Sequence, residues 1–194
     1  MKRIEPGLRE RKRLATMLRA QDAAYELART LGYEGTTVEA VAAAADVSPA
    51  TIYRHFGDKV NLFVWDPLEP ATLAGIEVTP GESPMAAVRR GYSGIFAREM
   101  PLSEDELLER IQFIFAHPQL RAGYEASIGE YRRALADALR RGGFDDPLVV
   151  DVVAAAVVAA TVAAVDHWQS QGGEPPLDVL INRAFDALDE HWRA

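Results

Sequence analysis

TTVEAVAAAADVSPATIYRHFGDK, residues 36–59, is the stretch that decides how this chain is read. Thr36 is a candidate N-cap, and Glu39 three residues on completes a capping box. Val38, Val41, Ala42 and Ala45 follow at i, i+3, i+4 and i+7, one apolar face of a short helix. Asp46-Val47 makes a turn. Ser48 caps a second helix, and Pro49 takes its first position, where a missing N–H is no loss. Ile52 and Phe56 point that helix into a core, so Thr51, Tyr53, Arg54 and His55 are left outward. Gly57 closes it in a C′ position, and Asp58 caps a further helix from Lys59.

Two short helices joined by a tight turn make a helix-turn-helix. Many helical proteins contain such a pair with no role in DNA binding. Here the turn is tight, both caps are present, and the exposed face of the second helix carries a hydroxyl, a phenol, a guanidinium and an imidazole. A solvated helix without a partner favours Glu and Lys pairs on that face. The pattern therefore predicts a DNA reader.

The segment resembles the DNA-binding domain of the TetR family of transcriptional regulators. The matching pieces are Leu31-Gly32-Tyr33, Thr36-Thr37-Val38, Val47-Ser48, and Thr51-Ile52-Tyr53-Arg54-His55-Phe56 with Lys59 after it. They spread over about 50 residues, roughly Ala15 to Val64, as a multi-part motif. Two positions depart from the family: Asp46 and Ala50 stand where glycine is frequent. The resemblance implies that Ser48, Pro49, Ala50, Thr51, Tyr53, Arg54 and His55 enter the major groove of a double-stranded operator. Thr37 and Lys59 would anchor phosphates, positioning the reader rather than specifying sequence.

The chain has 194 residues, 48% of them hydrophobic, and no cysteine. No disulfide, thiolate zinc site or cysteine nucleophile can be built. The charged N-terminus lacks the apolar core of a secretory signal, and a cytoplasmic location is expected. The net charge of −8 is unevenly distributed. Residues 1–60 hold 10 Lys+Arg against 8 Asp+Glu, while residues 61–194 hold 11 against 21. Residues 1–20 alone hold 7 basic and 2 acidic residues. A basic arm on an acidic body offers one end to phosphate. Arg9, Arg11, Lys12 and Arg13 are read either as a frayed, solvated tail or as an arm that DNA orders. The helix that follows carries the apolar stripe Ala20, Ala24, Leu27, Ala28 and Leu31 and stops at Gly32.

The rest of the chain reads as helix, giving an all-α fold of about nine helices. Pro67 and Pro70 interrupt the fourth helix. A loose connection then runs to Thr79-Pro80-Gly81-Glu82-Ser83-Pro84. The expected domains are 1–64, a reader with its basic arm, and 65–194, an effector-binding and dimerisation domain. Ser83-Pro84 opens a helix that Met100-Pro101 ends. Ser103 with Glu106 is a second capping box, His117-Pro118 breaks the chain again, and Gly142-Gly143 stops the helix after it. Asp146-Pro147 starts a helix with no charged residue between Val152 and Val165, 14 residues, short of the roughly 20 that span a membrane. A helix apolar all round needs partners all round. Pairing the helices at 147–171 and 176–193 with their copies in a homodimer supplies them, as the resemblance also implies.

Tyr92, Phe96, Arg110, Phe113, Tyr124, Ile128 and Tyr131 cluster in the middle helices. They either fill the core or line an effector pocket with a few polar contacts. Arg89, Arg90, Arg121, Arg132 and Arg133 are surface charges or cations at a pocket mouth. The runs GESPMAAVRRGY (81–92) and AHPQLRAGYEASIGEYRRALADAL (116–139) resemble the mycofactocin-type branch of the family, which implies an acyl-coenzyme A or similar amphipathic effector. The inventory gives an enzyme no foothold. His55, His117, His167 and His191 show no metal-ligand spacing, no glycine loop cradles a phosphate, and no G-x-S-x-G elbow occurs. Neither a metal nor a cofactor is expected. A helical adaptor protein without DNA binding is the alternative, and it would need neither the basic arm nor the polar second helix.

Overall fold

The computed structural model describes residues 7–76, 81–96 and 102–192, the side chains of 95, 96 and 190–192 excepted. Every regular element in that range is a helix: α1 (Leu8–Gly35), α2 (Val38–Ala44), α3 (Pro49–Phe56), α4 (Lys59–Val64), α5 (Glu69–Gly75), α6 (Pro84–Phe96), α7 (Glu104–Ala116), α8 (Pro118–Arg141), α9 (Pro147–Ser170) and α10 (Leu177–Trp192). Helix α5 is the additional one: the sequence reading has the fourth helix interrupted at Pro67 and Pro70 and a loose connection after it. Pro70 is not a second break. It lies in the first turn of α5, where its missing N–H has no intrahelical partner to lose. The expected connection over 77–80 and the expected stop at Met100-Pro101 lie outside the described residues.

Two compact units emerge, Met1–Pro67 with Ile114–Tyr124, and Leu68–Phe113 with Glu125–Ala194. In the first, α1 buries Met17, Ala20, Ala24, Tyr25 and Ala28. Leu31, read as part of that stripe, is 54% exposed. Gly32, at φ +70°, turns the chain out of the helix one residue later, and Tyr33 takes the buried place. Phe63 is the centre of this unit. It meets Tyr25 and Tyr33 edge-on, with ring centroids 5.1 and 5.4 Å away. The buried Gln21 ties α1 to the end of α4. Its Nε2 donates to the carbonyl of Trp65 at 2.7 Å and lies 3.3 Å from those of Leu62 and Phe63. The Tyr25 hydroxyl donates to Phe63 O at 2.9 Å. Carbonyls at a helix end have no intrahelical donor, and these two side chains supply one.

The turn between α7 and α8 also belongs to this unit. His117 stacks at a tilt on Tyr33 with centroids 5.8 Å apart, and Leu120 is fully buried. Gly123 passes so close to α4 that a Cβ there would lie 2.2 Å from Val60 Cγ1.

The second unit is built on α9 and α10. Val150, Ala154, Val157, Val158, Ala164 and Trp168 of α9 are buried against Leu177, Leu180, Ile181 and Phe185 of α10, with Val88 and Tyr92 of α6 and Leu135 and Leu139 of α8 completing the core. Asp146 caps α9 by accepting from Leu148 and Val149 N–H at 3.0 and 3.2 Å. Ser103 and Glu106 form the expected reciprocal capping box on α7. By length and composition α9 could cross a membrane. Val150, Ala154, Val157, Val158, Ala164 and Trp168 of this helix are packed in the core, and Asp151 and Asp166 bound its charge-free run.

Candidate functional site

The helix-turn-helix forms much as its caps dictate, with one shift at the start. Thr37, not Thr36, caps α2. Its hydroxyl oxygen accepts from Ala40 N–H at 3.1 Å, whereas Thr36 Oγ1 turns back to donate to Gly32 O at 2.9 Å. The capping box expected from Thr36 and Glu39 is displaced by that residue. Val38, Val41, Ala42 and Ala45 are buried as expected. Asp46 adopts φ +53°, a left-handed conformation that short polar side chains tolerate and glycine accepts without penalty. The frequent glycine of the family at this position has its reason there.

Ser48 caps α3 by accepting from Thr51 N–H at 3.2 Å, and the two hydroxyls lie 2.9 Å apart. Gly57 ends α3 at φ +81°, and the Asp58 carboxylate accepts from Asn61 N–H at 2.7 Å to start α4. Ile52 and Phe56 are the buried side of α3. Ser48, Pro49, Ala50, Tyr53 and Arg54 are exposed, with Thr51 and His55 half-buried. Tyr53 keeps 48% of its surface. Arg54 reaches Thr51 Oγ1 at 3.5 Å and nothing tighter on this face.

The basic arm is helical rather than frayed over the described residues. Helix α1 begins at Leu8, so Arg9, Arg11, Lys12 and Arg13 are carried on it; residues 1–6 lie outside the described range. Arg13 is close enough to α3 to act on His55. Burial, then the Arg54 and Arg13 guanidinium groups, push the His55 pKa below the ordinary histidine value. Arg13 and Arg54 thus bring positive charge together beside α3, and the His55 imidazole between them is held in its neutral form.

Lys59 is placed differently from a free phosphate anchor. Its ammonium donates to Tyr33 O at 2.5 Å and sits 4.0 Å over the Tyr33 ring. Burial, with Glu34 and Asp58 nearby, raises the Tyr33 pKa. The lysine therefore braces the end of α1 as well as standing near the helix-turn-helix. Sequence spacing gives no signal for a partner 26 residues away.

Among the expected effector contacts, Tyr92 and Tyr131 come together with hydroxyls 2.8 Å apart. Thr161 of α9 joins them, its Oγ1 3.3 Å from the Tyr92 hydroxyl and donating to Val157 O at 2.9 Å. Tyr92 also meets Phe185 edge-on at 5.1 Å. Ile128 packs against the same core. Arg110 and Phe113 are half-buried on α7. Tyr124 falls in the first unit, against Phe115 at 5.7 Å. The Phe96 side chain lies outside the described residues. Thr161 was missed by sequence reasoning because it lies within the charge-free run of α9, where a lone hydroxyl reads as filler. Arg89, taken as a surface charge, is mostly covered and pairs with Asp186 and Asp189 of α10 at 3.0 and 2.8 Å. No group of histidines and carboxylates suited to a metal occurs among the described residues.

A polar recognition helix, its supporting partner and a neighbouring basic helix define the first unit as a helix-turn-helix DNA-binding domain. Residues 21–64 match the family described as bacterial regulatory proteins, tetR family, and residues 82–193 match the MftR C-terminal domain. The chain belongs to the TetR family. It is similar to the HTH-type transcriptional regulator TcmR of Streptomyces glaucescens, 41% identical over 96 residues, 48% of this chain and 42% of that protein. The match therefore spans less than half the length of this curated relative. A crystal structure of a Rhodococcus sp. protein assigned as a TetR-family transcriptional regulator is similar over 90% of this chain and 96% of that one, with TM-score 0.50 and 19% identity. A corresponding Mesorhizobium loti structure is 23% identical over 93% of this chain and 96% of its own, with TM-score 0.49. At 19% identity the Rhodococcus structure speaks for the fold alone.

Proposed function

We propose that this chain is a dimeric, ligand-responsive transcriptional repressor that binds a palindromic DNA operator and is released by a small amphipathic effector. Residues 1–64 are the reader, and residues 65–194 bind the effector and dimerise. The observation that carries the reading is α3 itself. Its apolar side is buried by Ile52 and Phe56, and its outward side offers Ser48, Thr51, Tyr53, Arg54 and His55 next to the basic start of α1. Arginine on such a helix reads guanine bidentately, and hydroxyls serve either bases or phosphates. Thr37 and Lys59 are the phosphate contacts of this reading, Lys59 in addition to its bond to Tyr33 O.

Dimerisation is supported by α9 and α10. Leu148 is 72% exposed in the single chain, and Val149, Val152 and Val179 are also open. Exposed apolar side chains on the two helices that build the core of this unit support an interface there. Two recognition helices then meet successive major grooves about 34–36 Å apart. An effector held near Tyr92, Phe96, Arg110, Phe113, Tyr124, Ile128 and Tyr131 would favour a subunit arrangement with a different spacing and so release DNA. An effector of the acyl-coenzyme A type is the finer reading, and it rests on the resemblance of residues 81–92 and 116–139 to the mycofactocin-type branch. The family and the acidic body support a soluble, cytoplasmic regulator rather than an enzyme.

The test is a mobility shift with the DNA flanking the gene at about 50 and 200 mM salt. A shift that weakens steeply with salt supports phosphate-based binding, since 6–10 phosphate contacts lose about 10³–10⁵ in affinity over that range. A folded dimer that shifts neither this DNA nor genomic fragments at low salt overturns the reading.

A further inference from the structure

The outward side of α3 divides into two halves of different chemistry. Ile52 and Phe56 fix the buried side of the helix. At roughly 100° per residue, Ala50 and Arg54 lie opposite them, one turn apart on the middle of the outward face. Both are exposed, and so is Pro49 beside Ala50.

The hydroxyls of the N-terminal half are largely engaged within the helix. Ser48 Oγ accepts from Thr51 N–H at 3.2 Å, and the Ser48 and Thr51 hydroxyls share a hydrogen bond at 2.9 Å. One of their two hydrogens is used in that bond, so a single hydroxyl hydrogen is left for DNA. Pro49 has no N–H to donate. What the side chains of this half present outward is mostly carbon, the Pro49 ring and the Ala50 methyl. The polar groups Tyr53, Arg54 and His55 belong to the C-terminal half.

Base edges in the major groove offer one apolar group, the 5-methyl of thymine. Carbon set against any other edge covers a donor or acceptor without replacing its hydrogen bond to water, which costs binding energy. The Ala50 methyl therefore has one favourable counterpart in the groove. Residues at i and i+4 of a helix have Cβ atoms about 5–6 Å apart. Successive base pairs rise by about 3.4 Å. Contacts made from Ala50 and Arg54 thus fall one or two base pairs from each other.

We propose that Ala50 is a specificity-determining residue that selects thymine by its 5-methyl group, within two base pairs of the guanine that Arg54 reads. The inference deepens the DNA-reading assignment above and rests on it.

Uracil scanning tests it. In the site that the full-length protein selects from random duplex DNA, each thymine is replaced in turn by uracil, which pairs identically and lacks only the methyl group. The guanine is located as the one whose preference disappears in Arg54→Ala. Fluorescence anisotropy should show that one uracil within two base pairs of it weakens binding about fourfold, the effect of uncovering one methylene-sized group. The Ala50→Gly protein should bind the thymine and uracil forms of that site equally. The readout is a ratio within each protein, so a general loss of affinity or helix stability in the variant does not enter it. The uracil series on the natural chain decides by itself if the variant does not fold. No response at any thymine within two base pairs of the guanine overturns the proposal, as does a thymine preference undiminished in Ala50→Gly. A protein that selects a site without methyl dependence retires this inference and leaves the regulator standing. A folded protein that selects no site defeats the reader assignment, and the inference with it.

Discussion

Arg54 and His55 are neighbours on α3, yet they answer to different chemistry. Arg54 is exposed and makes one long contact, to Thr51 Oγ1, so its side chain is available to a base edge. Arg54→Ala should weaken operator binding by about 1–3 kcal/mol. Its effect on stability should stay within about 0.5 kcal/mol. Fluorescence anisotropy and a thermal melt check the two halves, and unchanged affinity would remove Arg54 from the reading set. His55 is held neutral by burial, Arg54 and Arg13. Its folded pKa lies below the unfolded value of about 6.5, so the unfolded chain binds the proton first. The head therefore keeps its full stability above about pH 6.5 and loses part of it as pH falls below. DNA reverses the local balance, because phosphates favour the imidazolium, and affinity should rise over the same fall in pH. His55→Gln should flatten both trends; an identical pH profile in the variant would show that another group titrates. At this scale the sequence was legible wherever a contact is local. Ser48, Gly57 and Asp58 cap as their spacing says. Gln21 was invisible because the carbonyls it caps lie 41 to 44 residues away. Lys59 was half legible: its position was clear, its bond to Tyr33 was not.

Among the elements, the short helices of the head depend on closeness more than on length. Helix α4 has six residues and could not persist alone. It is held by Gln21 and Tyr25 at its C-terminal carbonyls and by the approach of Gly123 to Val60 on its flank. A methyl group at Gly123 would force a β-branched neighbour aside. Gly123→Ala should thus cost about 1–3 kcal/mol despite the better helix propensity of alanine. Denaturant unfolding measures it, and a stabilised variant would mean that α4 yields freely. Periodicity marked the apolar faces of α2 and α3, because burial on one side writes itself into the spacing. It missed α5, since a proline in the first turn of a new helix and a proline breaking an old one look the same in sequence. It also assigned Leu31 to the α1 stripe, because the turn imposed by Gly32 carries that role to Tyr33.

The whole molecule divides its chemistry by region. Positive charge gathers on the first turns of α1 and at α3, the acidic excess lies after residue 60, and in the second unit the large exposed apolar side chains lie on α9 and α10. The sequence predicted the apolar helix but not which of its sides would stay uncovered. That required the packing of α10 and α6, which takes Val150, Ala154 and Val157 and leaves Leu148, Val149 and Val152 open. If that open side is the subunit interface, Val152→Asp places a charge there twice per dimer. It should weaken association by about 3 kcal/mol or more. Sedimentation velocity would then show a folded monomer, whereas an unperturbed dimer would move the interface elsewhere. Loss of the dimer should also abolish tight DNA binding, since one recognition helix alone reads a single half-site.

The most direct test of the reader is selection of binding sites from a random pool of duplex DNA by the full-length protein. The account predicts enrichment of an inverted repeat whose half-sites lie about 10–10.5 base pairs apart, or a multiple of that, centre to centre. It also predicts loss of that enrichment with Arg54→Ala. A folded protein that enriches no sequence, or enriches one that does not depend on α3, would contradict it.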